Sequence, residues 1–495
     1  MAAFLKLVAD ASTTLRIVAG VGCGVIVYSI FKVLISPISE LPGPWYSKWT
    51  SLVLKYQWFR GQRAFYVHRL HQQYGPCVRV APGEVHFTDI AAVKVIYNVR
   101  ESYKKSPWYA KLATVRIENV FSTRNIDMHR RYRRLLSAPM SESALMSTHA
   151  ATVRSKVDLA IQGIAKEMDE NGAVDVSKWW LFMASDIIGQ LSFGQSFGAV
   201  ERGTKDGYLH DLEQLVPLAP FRTTLPAIIP LGMMLGIPVF KRAGEAAPRV
   251  RDYAIKSIQL YDALRQSEST KVKKTLFTKV FTESEEGKLS VEEITSNAQA
   301  YIIAGTDTTA TTMTYLVWSV CRRPDIQQKL VEALRKLPSN FSETDLKNIA
   351  YLNHVIDETL RLFAAIPSAL PREVPAGGAK LGAHWVPEGT TVCTQAYSMH
   401  RDSEIWPEPD LFNPDRWDTQ TKVMQDAFMP FGAGSRICIG LHLARMELRY
   451  ATAQFFLKFP NARISSKDGM SDADMKPRIW FLETTSGGRC LVEAS

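Results

Sequence analysis

Residues 431–440 read Phe431-Gly-Ala-Gly434-Ser-Arg436-Ile-Cys438-Ile-Gly440, and a helical pattern follows from about Leu441 to Lys458. This segment is the cysteine loop. A thiol placed just before a helix faces the positive end of the helix dipole and free backbone N–H groups, and both favour the thiolate. Arg436 adds a cation two residues from the sulfur, and the glycines permit a tight turn and the close approach of a flat ligand.

The cysteine loop supports two interpretations. Most isolated cysteines are buried and inert. A thiolate with an open, glycine-lined face also suits the axial ligand of a haem iron. The pattern F-x-x-G-x-R-x-C-x-G fixes five positions and should match by chance in about one chain in ten thousand or fewer. This rarity favours the haem ligand.

Composition bounds the class of protein. The chain has 495 residues, of which 46% are hydrophobic and 22% are charged, which excludes a disordered, collagen-like or coiled-coil chain. Subtracting 49 acidic from 59 basic residues gives a net charge of +10. Such a charge favours an anionic membrane, protein, ligand or nucleic acid without choosing between them. The 6 cysteines are widely spaced, which indicates a reducing compartment rather than a zinc site or a disulfide framework.

Residues 1–36 contain an apolar segment, from about 15 to 35, whose only charges are Arg16 and Lys32. At about 1.5 Å per residue it spans roughly 30 Å, the thickness of a bilayer core. A cleaved signal peptide is the alternative, but the stretch is long for one and no small-residue cleavage site follows. We therefore expect an uncleaved, single-pass transmembrane anchor. The excess of Lys and Arg after it predicts that the rest of the chain faces the cytoplasm.

Beyond the anchor, a Pro-rich hinge is predicted at 37–45, and residues 46–495 show no further linker or repeat. Alternation predicts a hairpin over 77–88, and helical periodicity dominates elsewhere. We therefore expect a single large domain, mainly α with small β-sheets. Residues 215–240 are apolar and contain five prolines. They are either a packed, irregular connection or a loop that rests on the membrane surface.

The longest helix is predicted between the capping box Ser290-x-x-Glu293 and the stop signal Arg322-Arg323-Pro324. Its middle reads Ala-Gly-Thr-Asp-Thr-Thr at 304–309, a run of poor helix formers. Small and hydroxylated side chains recur there on one face. That face is either the wall of a pocket or a polar packing seam.

Four motifs occur in one order along the chain. They are A-G-x-D-T-T at 304–309, E-x-x-R at 358–361, F-x-P-x-R-W at 412–417 and the cysteine loop. Alone, E-x-x-R is usually a solvated surface pair. Together, over about 41–495, the motifs resemble the cytochrome P-450 superfamily of haem-thiolate monooxygenases, in its microsomal layout. A looser resemblance is to members from filamentous fungi that tailor secondary metabolites. The microsomal layout implies that the protein is located in the endoplasmic reticulum membrane.

The resemblance also implies roles for individual residues. Cys438 would ligate the iron of haem b, and Asp307 and Thr308 would be the catalytic pair that delivers protons to iron-bound oxygen. A buried structural network would join Glu358, Arg361 and Arg416. The remaining residues expected to bind or border the haem are His129, which replaces the family's Trp, and Arg133, Ala304, Gly305, Arg372, Phe431, Arg436 and Gly440.

The implied reaction is hydroxylation or a related oxidation of a lipophilic small molecule with O2 and two electrons. No flavin or nicotinamide domain is visible in the sequence, so a separate NADPH–cytochrome P-450 reductase-like donor is implied, with cytochrome b5 as a second candidate. The basic run of Arg130, Arg131, Arg133 and Arg134 is either its docking surface or a solvated helix face. We expect no nucleic-acid partner. The predicted pocket segments, 107–123, around Tyr301 and Ala304, and 366–370, are mainly apolar or small.

Two other functions stay open at this point. A haem-thiolate isomerase or dehydratase would rearrange a peroxide without a reductase, but it would not need the Asp307–Thr308 pair. A non-enzymatic haem-binding protein would not need that pair either, and the sequence shows no output domain. NADPH-dependent turnover separates the monooxygenase from both.

Overall fold

The computed structural model describes residues 18–494 except 19, 22–23, 25–26, 29, 32, 34, 113–116, 206, 216–217, 268–274 and 283–288. Its helices of ten or more residues are Arg63–Tyr74, Ile126–Leu136, Ala150–Asn171, Val176–Phe193, Pro238–Ser267, Val291–Cys321, Pro324–Leu334, Ala350–Leu362 and Leu441–Lys458. The shorter α-helices are Leu52–Phe59, Ile90–Ile96, Trp108–Leu112, Glu142–Thr148, Ala199–Arg202, Gly207–Leu215, Ala219–Thr224, Ile228–Met234, Thr278–Thr282, Glu343–Asn348, Ala396–Met399 and Lys422–Ala427.

The helix Val291–Cys321, hereafter the central helix, runs through the core. Its predicted capping box is confirmed: the Ser290 hydroxyl accepts from the Glu293 N–H at 3.1 Å, and the Glu293 carboxylate accepts from the Ser290 N–H at 2.8 Å. It packs against Val176–Phe193 and Leu441–Lys458. A Cβ added at Gly305 would lie 2.8 Å from Ile188. Gly305 therefore permits close helix–helix packing, and it also lines the cavity described below.

Small sheets flank the helices. The largest has five strands in the order Cys77–Ala81, Glu84–Phe87, Thr391–Cys393, Arg372–Glu373 and Lys104–Lys105. The first two form the predicted antiparallel hairpin. The others pair as Pro477–Trp480 with Leu482–Thr485, Ala379–Leu381 with His384–Val386, and Leu491–Glu493 with Val174–Asp175 and Arg463–Ile464. The predicted architecture, mainly α with small sheets, is confirmed.

The predicted anchor at about 15–35 lies largely outside the described residues. Across the ranges that are described, we find no helix with the length and apolar composition needed to cross a membrane. The segment 37–45, where a Pro-rich hinge is predicted, is docked on the domain. Ile38 and Leu41 are buried, and the fully buried Arg79 guanidinium donates to the carbonyls of Ile38, Leu41 and Pro44 at 2.6–3.2 Å.

The apolar stretch 215–240 is helical rather than irregular over most of its described length. It forms the short helices Ala219–Thr224 and Ile228–Met234 and the start of Pro238–Ser267. Large apolar side chains nevertheless face outward between 225 and 237, and Met234 is 76% exposed and Leu235 64% exposed. The segment is therefore packed on one side and exposes an apolar patch on the other, and contact of that patch with a membrane stays a prediction.

Candidate active site

A cavity of about 790 Å³ lies between the central helix, the cysteine loop and residues 119–121. Apolar side chains form most of its wall, as expected for a lipophilic ligand. The predicted pocket segments all contribute to it. Among the lining residues are Tyr109, Leu112, Val120, Phe121, Leu181, Leu212, Leu215, Tyr301, Ala304, Ile366, Leu370, Phe431 and Phe481.

Cys438 presents its exposed face to this cavity. Its N–H donates to the Phe431 carbonyl at 2.9 Å, and the helix Leu441–Lys458 begins where the sequence predicts. Burial raises the pKa of the Cys438 thiol, while the Gly440 N–H and the Arg133 charge oppose that rise. The sequence argument expected a backbone N–H at the sulfur but took the nearby cation to be Arg436, whereas Arg133 has that effect and Arg436 pairs with Glu101. A bound metal cation would supply the missing charge, because a coordinating thiol is deprotonated outright.

The loop glycines have different roles. Gly434 has a φ of +67°, and an added Cβ would lie 2.1 Å from the Tyr97 carbonyl oxygen. This glycine therefore serves the turn and its packing. An added Cβ at Gly440 would lie 3.9 Å from the Cys438 sulfur, which is ordinary contact, so Gly440 acts through its N–H.

Five basic side chains line the cavity together: Lys105, His129, Arg133, Arg372 and Arg436. This set is the cationic cluster. The sequence argument named four of them and missed Lys105. Antiparallel register pairs Lys105 with Arg372, and sequence periodicity contains no signal for that pairing.

Electrostatic repulsion within the cationic cluster is strong. Burial and the neighbouring Arg372 and Arg436 charges hold the pKa of Lys105 well below its usual range. Burial, followed by the charges of Arg436 and Arg133, lowers the pKa of His129 to about 3. Burial also lowers the pKa of Arg436 to about 10. The protein alone therefore carries an excess of positive charge at this edge of the cavity.

Glu101 is the carboxylate that lies within this cluster. Its side chain is 4% exposed, and its Oε1 lies 2.6 Å from Arg436 Nε and 2.7 Å from His129 Nδ1. Its backbone has a φ of +56°, a conformation that non-glycine residues adopt rarely. The sequence argument missed Glu101, because its partners come from distant segments of the chain.

The cavity residues fit haem b. One carboxylate cannot balance the cationic cluster, and a ligand with two carboxylates would supply the missing negative charge. A thiol at the cavity wall and apolar surfaces around it match the iron and the flat macrocycle. Arg133 also reaches the cysteine loop, where its Nη1 donates to the Ile437 carbonyl at 2.6 Å.

Asp307 and Thr308 line the same cavity from the central helix. Burial and the charge of Glu213 raise the pKa of Asp307 to about 6, and Lys205 opposes the rise. The Thr308 hydroxyl donates to the Ala304 carbonyl at 2.6 Å. Its hydrogen is thus engaged, and its lone pairs remain free to accept a bond from a water molecule or a ligand.

A second acid at this cavity was not predicted. Glu447 is buried, and its carboxylate accepts from the Thr309 hydroxyl at 2.8 Å. Burial raises the pKa of Glu447 to about 8, so it is largely protonated at neutral pH. The position falls on a helix that reads as ordinary core in sequence, and only the packing of two helices brings the pair together.

Glu358 is the centre of a fully buried network. Arg361 donates two bonds to its carboxylate, both at 2.9 Å. Arg416 Nε donates at 3.0 Å, Trp417 Nε1 at 3.1 Å and the Asn413 N–H at 2.9 Å. The structure thus joins the E-x-x-R and F-x-P-x-R-W motifs, so E-x-x-R is not a solvated surface pair.

Comparisons with known proteins agree with this site. A family model described as cytochrome P-450 matches residues 42–486. Cytochrome P-450 monooxygenase tazI of Aspergillus terreus is 43% identical over 94% of this chain and 95% of its own length. Cytochrome P-450 monooxygenase orf2 of Aspergillus niger is 40% identical over the same shares. Cytochrome P-450 monooxygenase cypX of Dothistroma septosporum is 32% identical over 90% of this chain and 89% of its own length. With this match across nearly its whole length, the chain belongs to the cytochrome P-450 family, whose members bind haem b through a cysteine thiolate, and it is a monooxygenase.

Proposed function

We propose that this protein hydroxylates or otherwise oxidises a lipophilic small molecule in fungal secondary metabolism, with electrons from a separate NADPH-dependent reductase. The observation that carries this proposal is the placement of Cys438, Asp307 and Thr308 around one mainly apolar cavity. Haem b, bound through the Cys438 thiolate, would supply the activation of O2. The residues of the chain provide the ligand, the proton path and the orientation of the substrate.

The cationic cluster and the cysteine loop hold the cofactor in this proposal. Lys105, Arg372 and Arg436 are buried or nearly so, and carboxylates bound there remain shielded from water, where charge-assisted hydrogen bonds are strongest. The Gly440 N–H and Arg133 stabilise the negative charge on Cys438. Glu358 and its partners fix the backbone at His400, Pro409 and Leu411 without lining the cavity.

Asp307 and Thr308 handle protons. With a pKa of about 6, Asp307 exchanges a proton readily near neutral pH, as a general acid must. Because the Thr308 hydroxyl donates to Ala304, it accepts a hydrogen bond from a water molecule in the cavity and orients that water. We assign Thr308 the positioning of this water and Asp307 the supply of its proton.

The reductase partner needs a basic surface near the haem. The four arginines of the predicted basic run have different surroundings in the structure. Arg133 points inward to the cysteine loop and Arg131 contacts Glu293 at 3.2 Å, while Arg130 and Arg134 are exposed. We propose that these two contribute to the docking site of an acidic electron donor, a reductase or cytochrome b5.

We also propose attachment to the endoplasmic reticulum membrane with the catalytic domain in the cytoplasm. Two features support it: the apolar sequence at about 15–35, and the exposed apolar side chains of Leu225, Leu231, Met234, Leu235 and Ile237. An apolar patch of this kind suits the interfacial region of a bilayer.

Thr308→Ala tests the proposed function. In the source organism lacking the native gene, the wild-type protein should restore a metabolite that gains ¹⁸O from ¹⁸O2. Thr308→Ala should retain the thiolate spectrum of reduced, CO-bound haem but yield about 100-fold less labelled metabolite, with hydrogen peroxide released by the purified protein and reductase. Thr311→Ala, at a neighbouring position of the central helix that also lines the cavity, is the control. Equal labelling by wild type and Thr308→Ala would refute the role of Thr308, and no labelling by the wild type would refute the monooxygenase proposal.

A further inference from the structure

The short helix Ala219–Thr224, hereafter the roof helix, covers one side of the cavity and is held firmly. The Trp58 indole N–H donates to the Thr223 hydroxyl at 3.0 Å. The Phe221 ring packs edge-on against Phe59 and Phe240, with centroid distances of 5.2 and 5.1 Å. A side chain on the roof helix that lines the cavity therefore has a defined position.

Arg222 is such a side chain. Its Nη1 donates to the Leu215 carbonyl at 3.3 Å. Its Nε is shielded from solvent and has no hydrogen-bond acceptor. Throughout the described part of the chain, no carboxylate forms a salt bridge with it. The pKa of Arg222 falls to about 10 through burial alone, so the guanidinium stays charged at neutral pH.

Two cations that line this cavity outside the cationic cluster have acidic partners. Lys178 lies 2.7 Å from Glu167. Lys205 lies 2.5 Å from Glu213. Within the cationic cluster, Arg436 has Glu101 at 2.6 Å, and that cluster is accounted for by the two carboxylates of haem b. Arg222 stands apart from both sets, on the roof helix among Leu212, Leu215 and Ala219.

A half-buried cation with an N–H group that has no acceptor is unfavourable until an anion pairs with it. A guanidinium can donate two N–H bonds to the two oxygens of one carboxylate. We propose that Arg222 binds a carboxylate of the substrate, so that the substrates of this enzyme are lipophilic organic acids. This inference rests on the proposed monooxygenase function. Arg222 would orient the acid end while the apolar wall holds the rest of the molecule.

Paired probes separate recognition of the acid from hydrophobic binding. The haem-loaded protein is titrated with straight-chain acids of 8 to 16 carbons and with their methyl esters, and binding is followed by the shift of the Soret band. We expect the wild type to prefer each acid that binds over its ester. Arg222→Gln should weaken acid binding by about 10- to 100-fold, the worth of one charge-assisted bond, and leave ester binding unchanged. Arg222→Lys should retain part of the preference, since it keeps the charge and loses the planar fork.

Arg242→Gln is the matched control, because Arg242 is an exposed arginine in the helix Pro238–Ser267, where its Nε donates to the Pro238 carbonyl at 3.3 Å. Equal loss of acid and ester binding in Arg222→Gln would assign Arg222 to packing and overturn the proposal. So would a wild type without preference for acids. Weaker binding of Arg222→Gln to phosphatidylserine vesicles, with unchanged acid binding, would place the cation on the membrane face instead. A protein without the thiolate spectrum would refute the proposed function, not this inference.

Discussion

Glu358→Gln removes one charge from the buried network and leaves the side-chain shape unchanged. Three donors, Arg361 Nη2, Arg416 Nε and the Asn413 N–H, address Oε1 of Glu358, and two, Arg361 Nε and Trp417 Nε1, address Oε2. Glutamine replaces one oxygen by an NH2 group. In either orientation of the amide, at least two donors then face another donor.

The magnitude follows from burial. Removing one partner of a buried ion pair costs about 3–5 kcal/mol, against a total stability of about 5–15 kcal/mol for a typical domain. We expect Glu358→Gln to lower the denaturant midpoint sharply and to leave little haem-loaded protein. Arg361→Lys should act similarly, because Arg361 also donates to the carbonyls of His400 and Pro409 at 2.7 and 2.6 Å, a geometry that a single ammonium cannot match.

The matched control is Asp325→Asn. Asp325 accepts two bonds from Arg323 at 3.0 and 2.7 Å, but its side chain is 64% exposed, so its loss should cost less than about 1 kcal/mol. Unfolding is followed by tryptophan fluorescence, and haem content by the thiolate spectrum of the reduced, CO-bound protein. A Glu358→Gln protein as stable and as haem-replete as Asp325→Asn would refute the argument from burial.

Four further predictions concern the cavity and the N-terminus. The pKa of Asp307 in the folded protein, about 6, exceeds its ordinary value, so the free energy of unfolding falls as pH rises from about 4 to 6. Asp307→Asn removes this loss and should therefore stabilise the protein more at pH 7 than at pH 4, as measured by denaturant unfolding. Glu101→Gln removes negative charge from the cationic cluster, so the midpoint potential of the bound haem should become more positive in a redox titration; an unchanged potential would contradict this. Cys438→Ala should abolish the thiolate spectrum, whereas Cys321→Ser should retain it; the opposite pattern would move the ligand. Deleting residues 1–36 should shift much of the protein from membranes to the soluble fraction with haem retained. Deleting residues 1–45 should destabilise the protein, because Arg79 loses its carbonyl partners. Complete retention on membranes after the shorter deletion would show that the exposed apolar patch at 225–237 attaches the protein to the membrane.

Structural features that depend on residues close together in the sequence were predictable. The predicted cap at Ser290 and the predicted helix start at Leu441, just after the cysteine loop, agree with the structure, because helix ends depend on hydrogen bonds between near neighbours in sequence. The hairpin at 77–88 agrees for the same reason. Interactions between distant segments were not predictable. Strand register places Lys105 beside Arg372, and helix packing places Glu447 against Thr309; no local pattern encodes either pair.

Intrinsic helix propensity does not explain the helix at the cavity wall. The run at 304–309 is poor in helix formers, yet it is helical throughout. Packing explains part of it, since Gly305 admits Ile188, and the cavity explains Asp307 and Thr308. Residues that conflict with local preference are expected at functional sites. The structure brings Cys438, Asp307 and Thr308 to one cavity, whereas the local sequence pattern does not indicate which contacts hold them there.

The electrostatics of the cavity differ between its two sides. Near the cysteine loop, buried cations have lowered pKa values, as Lys105 and Arg436 show. Along the central helix, buried acids have raised pKa values, as Asp307 and Glu447 show. The carboxylates of haem b would neutralise the cations, but they bring no compensation to the acids. The raised pKa values of Asp307 and Glu447 lie near neutrality, which suits groups that move protons at physiological pH.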